Sequence, residues 1–117
     1  MDNNSTLQKL INSIIEGIPE IQKCFDEYQE KFFTTRPPEF FCLELNGEAG
    51  ELANAEKKIW KGKNIDKNLL AEEAADVFIA LFNYVNARKI DLTSSLTKKL
   101  LSIEEKRQSL QKKGENY

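Results

Sequence analysis

Two pairs of carboxylates could do chemistry in this sequence because each pair has the spacing of one helical turn. Glu48 and Glu51 form the first pair, and Glu73 and Asp76 form the second. Residues three apart are neighbours on a helix, so each pair projects its carboxylates from adjoining faces. Ligand sets made only of oxygen favour hard divalent cations, so the two pairs predict a site for Mg²⁺ or Mn²⁺.

Glu48 also stands where an apolar side chain is expected. It continues a helical stripe of positions that are otherwise apolar, namely Phe41, Leu45, Leu52, Ala55 and Ile59. A buried carboxylate is costly unless it is paired or binds a cation. Gly47 and Gly50 lie beside it and indicate a close approach by backbone or ligand. The alternative is that the acids lie on solvated faces neutralised by lysines, namely Lys57, Lys58, Lys61 and Lys63.

The residue types that the chain lacks limit the chemistry further. It contains no histidine, which excludes an imidazole base, a Ser-His-Asp triad and a His-ligated zinc. Cys24 and Cys42 are too few for a four-cysteine zinc site or a disulfide framework. We expect both to be small buried side chains in a reducing, cytoplasmic setting. Chemistry therefore falls to carboxylates, lysines, hydroxyls, amides or a hard metal.

The two acidic segments resemble the MazG-like nucleoside triphosphate pyrophosphohydrolases, which belong to the all-α NTP pyrophosphatase superfamily. The resemblance rests on Glu48-Ala-Gly-Glu51-Leu and on Glu72-Glu73-Ala-Ala-Asp76-Val, and it extends over about residues 19–107. It implies a helical protein that dimerises through its central helices, often into tetramers. It also implies Mg²⁺-dependent hydrolysis of (deoxy)nucleoside triphosphates to monophosphate and pyrophosphate. A related pyrophosphohydrolase acting on dUTP or phosphoribosyl-ATP and a non-catalytic helical interaction module are the alternatives.

The resemblance also suggests roles for single residues. Glu48, Glu51, Glu73 and Asp76 would hold Mg²⁺, and Glu51 is our first choice for the residue that takes a proton from the attacking water. Five further residues are candidates for substrate binding. Lys99 and Lys61 would contact phosphate, Asn83 would contact the ligand or a structural partner, and Tyr28 and Trp60 would stack on the base. The alternatives are solvated lysines and, for Trp60, a place in the core.

Helix signals predict the elements that must position these residues. Strand patterns are weak, and Gly and Pro are few, so we expect an all-α bundle of about five helices. Ser5 and Gln8 have the spacing of a capping box, and Gly17 suits a helix end. The predicted helices cover residues 5–17, 19–33, 39–60, 66–88 and 91–113. The third and fourth form a central antiparallel hairpin.

The chain length predicts one domain over residues 1–117. Residues 1–17 have no counterpart in the family that the acidic segments resemble, so the resemblance implies an N-terminal extension there and a core of about 19–113. The net charge is -2 and the pI is about 5.3, so no nucleic-acid partner is expected. No membrane span or signal peptide is expected either. Many aromatic and apolar residues lie on the two central helices, and one subunit can hardly cover them all. We therefore expect a homodimer or homotetramer.

Overall fold

The computed structural model describes residues 3–117, with side chains from Ser5 onward. Four α-helices make up this part of the chain: α1 (Asn3–Phe32), α2 (Pro38–Trp60), α3 (Lys67–Ala87) and α4 (Leu92–Lys112). The described residues contain no strand, so the all-α prediction is confirmed. Within the same residues, no helix is both long enough and apolar enough to cross a membrane.

Helix α1 corrects the prediction of two separate helices over residues 5–17 and 19–33. Ser5 lies inside α1 and is not its cap, Gly17 does not end it, and Pro19 is a residue of its interior. The more buried positions run across Pro19 with steps of three and four: Ile11, Ile14, Ile18, Gln22 and Phe25. Pro19 is exposed and stands outside this face. Continuous burial of one face therefore outweighs the backbone hydrogen bond that proline cannot donate.

The other predicted boundaries are confirmed to within a residue or two. Pro37 is the N-cap of α2, as its fixed φ allows. The Asp66 carboxylate accepts a hydrogen bond from the amide of Asn68 at the start of α3. Asp91 does the same for the amide of Ser94 at the start of α4. Each carboxylate satisfies an amide that has no partner within its helix.

The chain divides into two compact units, of which the first comprises Cys24–Ile90. Here α2 and α3 form the predicted antiparallel hairpin, closed at one end by a 3.1 Å ion pair between Glu39 and Arg88. Phe82 is the most buried side chain of this unit, with 1% of its surface exposed. Phe25 of α1 stacks on it with ring centroids 5.1 Å apart. These aromatic contacts form the core that positions the hairpin.

Three predictions about burial are wrong within the described chain. The segment 77–82 is apolar throughout, which predicts burial on every side, but Phe78 and Ile79 are 48% and 42% exposed. Phe78 contacts Phe25 and Phe82 with part of its ring and leaves the rest in solvent, and Ile79 borders an open cleft. Cys24 and Cys42 are both exposed rather than buried. Each lies on the outward side of its helix, one residue before or after a buried or half-buried phenylalanine.

The second unit comprises the chain up to Lys23 together with Asp91–Tyr117. The amide of Leu92 donates to the side chain of Gln22 over 3.3 Å. Further along, α1 and α4 line a groove of about 470 Å³ with four apolar side chains, namely Leu7, Leu10, Leu100 and Ile103. Residue numbers rise on one helix as they fall on the other, so the two helices run antiparallel. The described part of residues 1–17 thus lies along α4 of its own chain.

Candidate metal centre and adjoining cleft

Three carboxylates converge where α2 and α3 lie side by side. Glu48 comes from α2, and Glu73 and Asp76 come from one face of α3. One carboxylate oxygen of each lies within 4.8 Å of the others. The apolar stripe of α2 explains this position, because Phe41 and Ala55 are buried and Leu45 and Leu52 are half-buried on either side of Glu48. The predicted convergence is therefore present for these three residues.

Burial and mutual repulsion shape the electrostatics of the cluster. Glu48 and Glu73 are half-buried, and each has its Oε2 atom shielded from solvent with no hydrogen-bond partner among the described residues. Loss of solvation, a hydrogen bond to Glu51 and the charges of Glu51, Glu48 and Asp76 raise the pKa of Glu73 to about 7. Loss of solvation, followed by the charges of Asp76 and Glu51, also raises the pKa of Glu48. The cluster disfavours full ionisation on its own.

Glu51 lies next to this cluster without being one of the three converging residues. Its side chain is exposed, yet its hydrogen bond and its charge both act on Glu73. Gly47 and Gly50 flank this turn of α2, and a Cβ built on either would meet no atom of the described chain within 4 Å. No close approach within these residues accounts for the two glycines.

The cluster fits a hard divalent cation. Its donors are all carboxylate oxygens, which Mg²⁺ and Mn²⁺ prefer. Two of those oxygens are shielded and lack a donor, and a bound cation would satisfy them. Within residues 5–117, no ion pair with a lysine or arginine compensates the three acids. Glu48 and Glu73 are half-buried and form no ion pair with the lysines that were expected to neutralise them, so they do not lie on a solvated face. Those lysines are exposed: Lys57, Lys58, Lys61 and Lys63.

A cleft leads away from the acidic cluster. A small recess of about 100 Å³ is bordered by Glu44, Glu48, Asp76 and Asn83. Glu44 and Asn83 also border a larger cleft of about 510 Å³. Its walls include five aromatic side chains, namely Phe25, Tyr28, Phe33, Phe40 and Phe41. The carboxylates and an aromatic-lined cleft therefore adjoin in one unit of the chain.

The predicted substrate-binding residues lie in different places. Tyr28 and Asn83 line the aromatic cleft, and Tyr28 packs edge-on against Phe33 with ring centroids 5.2 Å apart. Trp60 ends α2 with 89% of its surface exposed, so it is not a core residue of the described chain. Lys61 follows it in the turn and is exposed. Lys99 is exposed on α4, in the second unit.

Sequence reasoning missed several cleft residues. Phe40, which the sequence favours as part of a dimer core, also lines the cleft within its own chain. Phe40, Glu44 and Glu48 follow one another at steps of four on α2, a spacing that could have indicated a shared wall. Arg36 lies in the connector and lines the same cleft, and no spacing signal pointed to it.

Comparisons with known proteins identify no relative of this chain. No family model, no curated protein and no solved structure matches the chain. The acidic cluster and the cleft are therefore the features from which a function can be inferred.

Proposed function

We propose that this chain is a MazG-like pyrophosphohydrolase that converts (deoxy)nucleoside triphosphates to monophosphate and pyrophosphate with Mg²⁺. The observation that carries the proposal is the convergence of Glu48, Glu73 and Asp76 with oxygen atoms within 4.8 Å. Two shielded oxygens without donors add to it. An aromatic cleft of nucleoside size opens beside the same residues. The proposal also assigns the enzyme to nucleotide-pool house-cleaning in the cytoplasm, with no nucleic-acid partner.

The acidic residues have separable roles in this reaction. Glu48, Glu73 and Asp76 would hold the cation, with Glu51 beside them. When bound, the cation offsets triphosphate charge and makes a nearby water more acidic. Glu51 is exposed and adjacent to the cluster, so its carboxylate can take the proton of the water that attacks the α-phosphorus. A new P–O bond forms to that water, the bond to the bridging oxygen breaks, and pyrophosphate leaves.

The remaining residues bind and orient the substrate. Tyr28 offers a ring for base stacking at the cleft wall, worth about 1–3 kcal/mol per base. Asn83 borders both the recess of the carboxylates and the aromatic cleft, so its amide can contact the nucleoside between them. Lys99 and Lys61 stay phosphate contacts proposed from the sequence alone. Trp60 stands twenty residues beyond Phe40 on α2, about 30 Å of helix rise, so it stays a proposed stacking residue only for a base bound outside the cleft of its own chain.

Release of pyrophosphate from a panel of (d)NTPs tests the proposal directly. Wild-type protein with Mg²⁺ or Mn²⁺ should release it, and EDTA should stop the release. The Glu51→Gln variant should lose at least about 100-fold in rate, because it removes a proton acceptor. It should keep most of its stabilisation by Mg²⁺, since the other three acids remain. Glu56→Gln, an exposed change on the same helix, is the matched control.

The outcomes separate the alternatives. Full activity of Glu51→Gln would refute its role as base, and no pyrophosphate from any substrate would refute the proposed function. Inclusion of dUTP and phosphoribosyl-ATP in the panel identifies the related activities.

An interaction module is the second candidate, and exposed apolar side chains favour it. Trp60 and Leu43 are 89% and 73% exposed on α2. In this case Mg²⁺ should not change the thermal stability of the chain. An enzyme with a resident cation site gains RT ln(1 + [L]/Kd), about 2.7 kcal/mol at 100 times Kd. A thermal unfolding series in Mg²⁺ therefore distinguishes the two.

A further inference from the structure

A second, smaller cavity adjoins the aromatic cleft. It holds about 190 Å³ and shares four lining residues with the cleft: Gln29, Arg36, Phe41 and Asn83. The additional lining residues are largely polar and include Asp26 and Glu30 of α1. A planar ligand lying in the aromatic cleft would therefore extend its polar edge into a recess that carries both a guanidinium and carboxylates.

Arg36 supplies the donors of this recess. Its guanidinium carbon lies 4.7 Å from the ring centroid of Phe40. It forms no ion pair and no hydrogen bond within residues 5–117. A guanidinium that lies over an aromatic ring keeps its N–H groups directed outward in its own plane. Arg36 therefore offers several N–H donors in one plane and no hydrogen-bond acceptor.

Asp26 supplies the acceptor. It is half-buried on α1 and lines the smaller cavity. Its carboxylate likewise has no hydrogen bond or ion pair among the side chains that the structure describes. Glu30, one turn further along α1, adds a second acceptor at the same recess. The recess thus offers both donors and acceptors to a ligand.

We propose that this recess selects 6-oxopurine bases, with Arg36 donating to O6 and N7 and Asp26 accepting from N1–H. Arginine and the O6/N7 edge of guanine form a well-matched bidentate pair. Adenine places an amino group against the same donors, and pyrimidines lack N7 altogether. The inference deepens the proposed function and rests on it for the place of the phosphates.

The spacing along α2 agrees with one bound nucleotide. Phe40, under Arg36, and Glu48, in the acidic cluster, are eight residues apart on the same helix. This separation corresponds to about 12 Å of helix rise. A base beside Arg36 and phosphates at the carboxylates therefore fit the two ends of one ligand.

Calorimetric titration with GMP, IMP, AMP and CMP in EDTA tests the base site without hydrolysis. GMP and IMP should bind at least about tenfold more tightly than AMP and CMP. Arg36→Lys keeps the charge but loses the paired N–H donors of the guanidinium. The ratio of GMP affinity to AMP affinity should therefore fall to near unity. Arg88→Lys makes the same change outside the cavity and should retain the preference. Asp26→Asn should weaken GMP and IMP selectively, while Glu27→Gln on the same helix should not.

Equal or undetectable binding of the four nucleotides by the wild type would overturn the inference. A preference that survives Arg36→Lys and Asp26→Asn, each checked for helix content by circular dichroism, would also overturn it. Pyrophosphate release without preference for GTP or ITP would leave the proposed function standing and refute the base site. Selective GMP binding by a wild type that hydrolyses no triphosphate would support the base site and refute the proposed function.

Discussion

At the scale of single residues, Glu73 shows how the cluster depends on protonation. Its pKa of about 7 lies above the ordinary value of 4.5, so the folded chain binds this proton more tightly than the unfolded chain does. The resulting stabilisation is complete below about pH 4.5 and is lost as the pH rises through about 7. A cation at the cluster has the opposite requirement, because its ligands must be ionised.

We therefore expect the metal-free chain to lose stability between about pH 4.5 and 7. Glu73→Gln should flatten this part of the profile, because its amide does not titrate. Thermal unfolding in EDTA across this range measures the effect. Glu72→Gln, its exposed neighbour, should leave the profile unchanged. Equal profiles for wild type and Glu73→Gln would contradict the assignment of the shift to Glu73.

The stabilisation by Mg²⁺ should increase with pH, whereas the stability of the metal-free chain should decrease. The gain in melting temperature on adding Mg²⁺ should be larger at pH 8 than at pH 6, since fewer protons must leave the cluster at pH 8. Parallel unfolding scans with and without Mg²⁺ at the two pH values measure it. A gain that is larger at pH 6 would argue against a carboxylate site.

At the scale of the elements, three helices end in the same way. After α2, α3 and α4 the chain takes a left-handed residue: Gly62 (φ 88°), Lys89 (φ 61°) and Gly114 (φ 75°). In α3, the amide of Ile90 donates to the carbonyl of Val85 over 2.8 Å, the long-range bond of a Schellman motif. Glycine adopts this conformation freely, whereas lysine incurs a steric cost.

Lys89→Gly should therefore raise the free energy of unfolding by about 1 kcal/mol. Gly62→Lys makes the reverse change at the end of α2 and should lower it by a similar amount. Urea unfolding of the two variants beside the wild type measures both shifts. Destabilisation by Lys89→Gly would show that the lysine side chain contributes more than its backbone strain costs.

The elements also show how far local sequence patterns predict this chain. The caps at Asp66 and Asp91 were predictable because they depend on contacts within a few residues. The hairpin of α2 and α3 was predictable because the connection between the two helices is short. The continuity of α1 through Gly17 and Pro19 was not predictable, since a buried face extending over about four turns outweighs one local signal. Glu48, Glu73 and Asp76 were predictable from spacing within each helix. The cleft was not, because Phe25, Arg36 and Phe40 come from three segments.

At the scale of the whole molecule, apolar surface is left uncovered on the hairpin. Leu43 and Phe78 are 73% and 48% exposed. Burial of apolar surface stabilises association by about 25 cal/mol per Å², so a second copy would gain from covering them. We propose a homodimer or homotetramer on this ground, in line with the resemblance of the two acidic segments.

Light scattering after size exclusion should show a dimer or larger species at micromolar concentration. Leu43→Glu should shift the mass towards the monomer, because it places a charge in the apolar surface. Lys58→Glu adds the same side chain at an exposed polar position of α2 and should not. A wild-type monomer under these conditions would contradict the proposal.

Trp60 gives the molecule an optical reporter that requires no label. It is the single tryptophan, and 89% of its surface is in contact with water. Its indole should fluoresce at the long wavelengths of a hydrated chromophore and be readily quenched by iodide. Any event that covers the end of α2, whether subunit association or stacking on a base, should shift the emission to the blue and protect it from quenching.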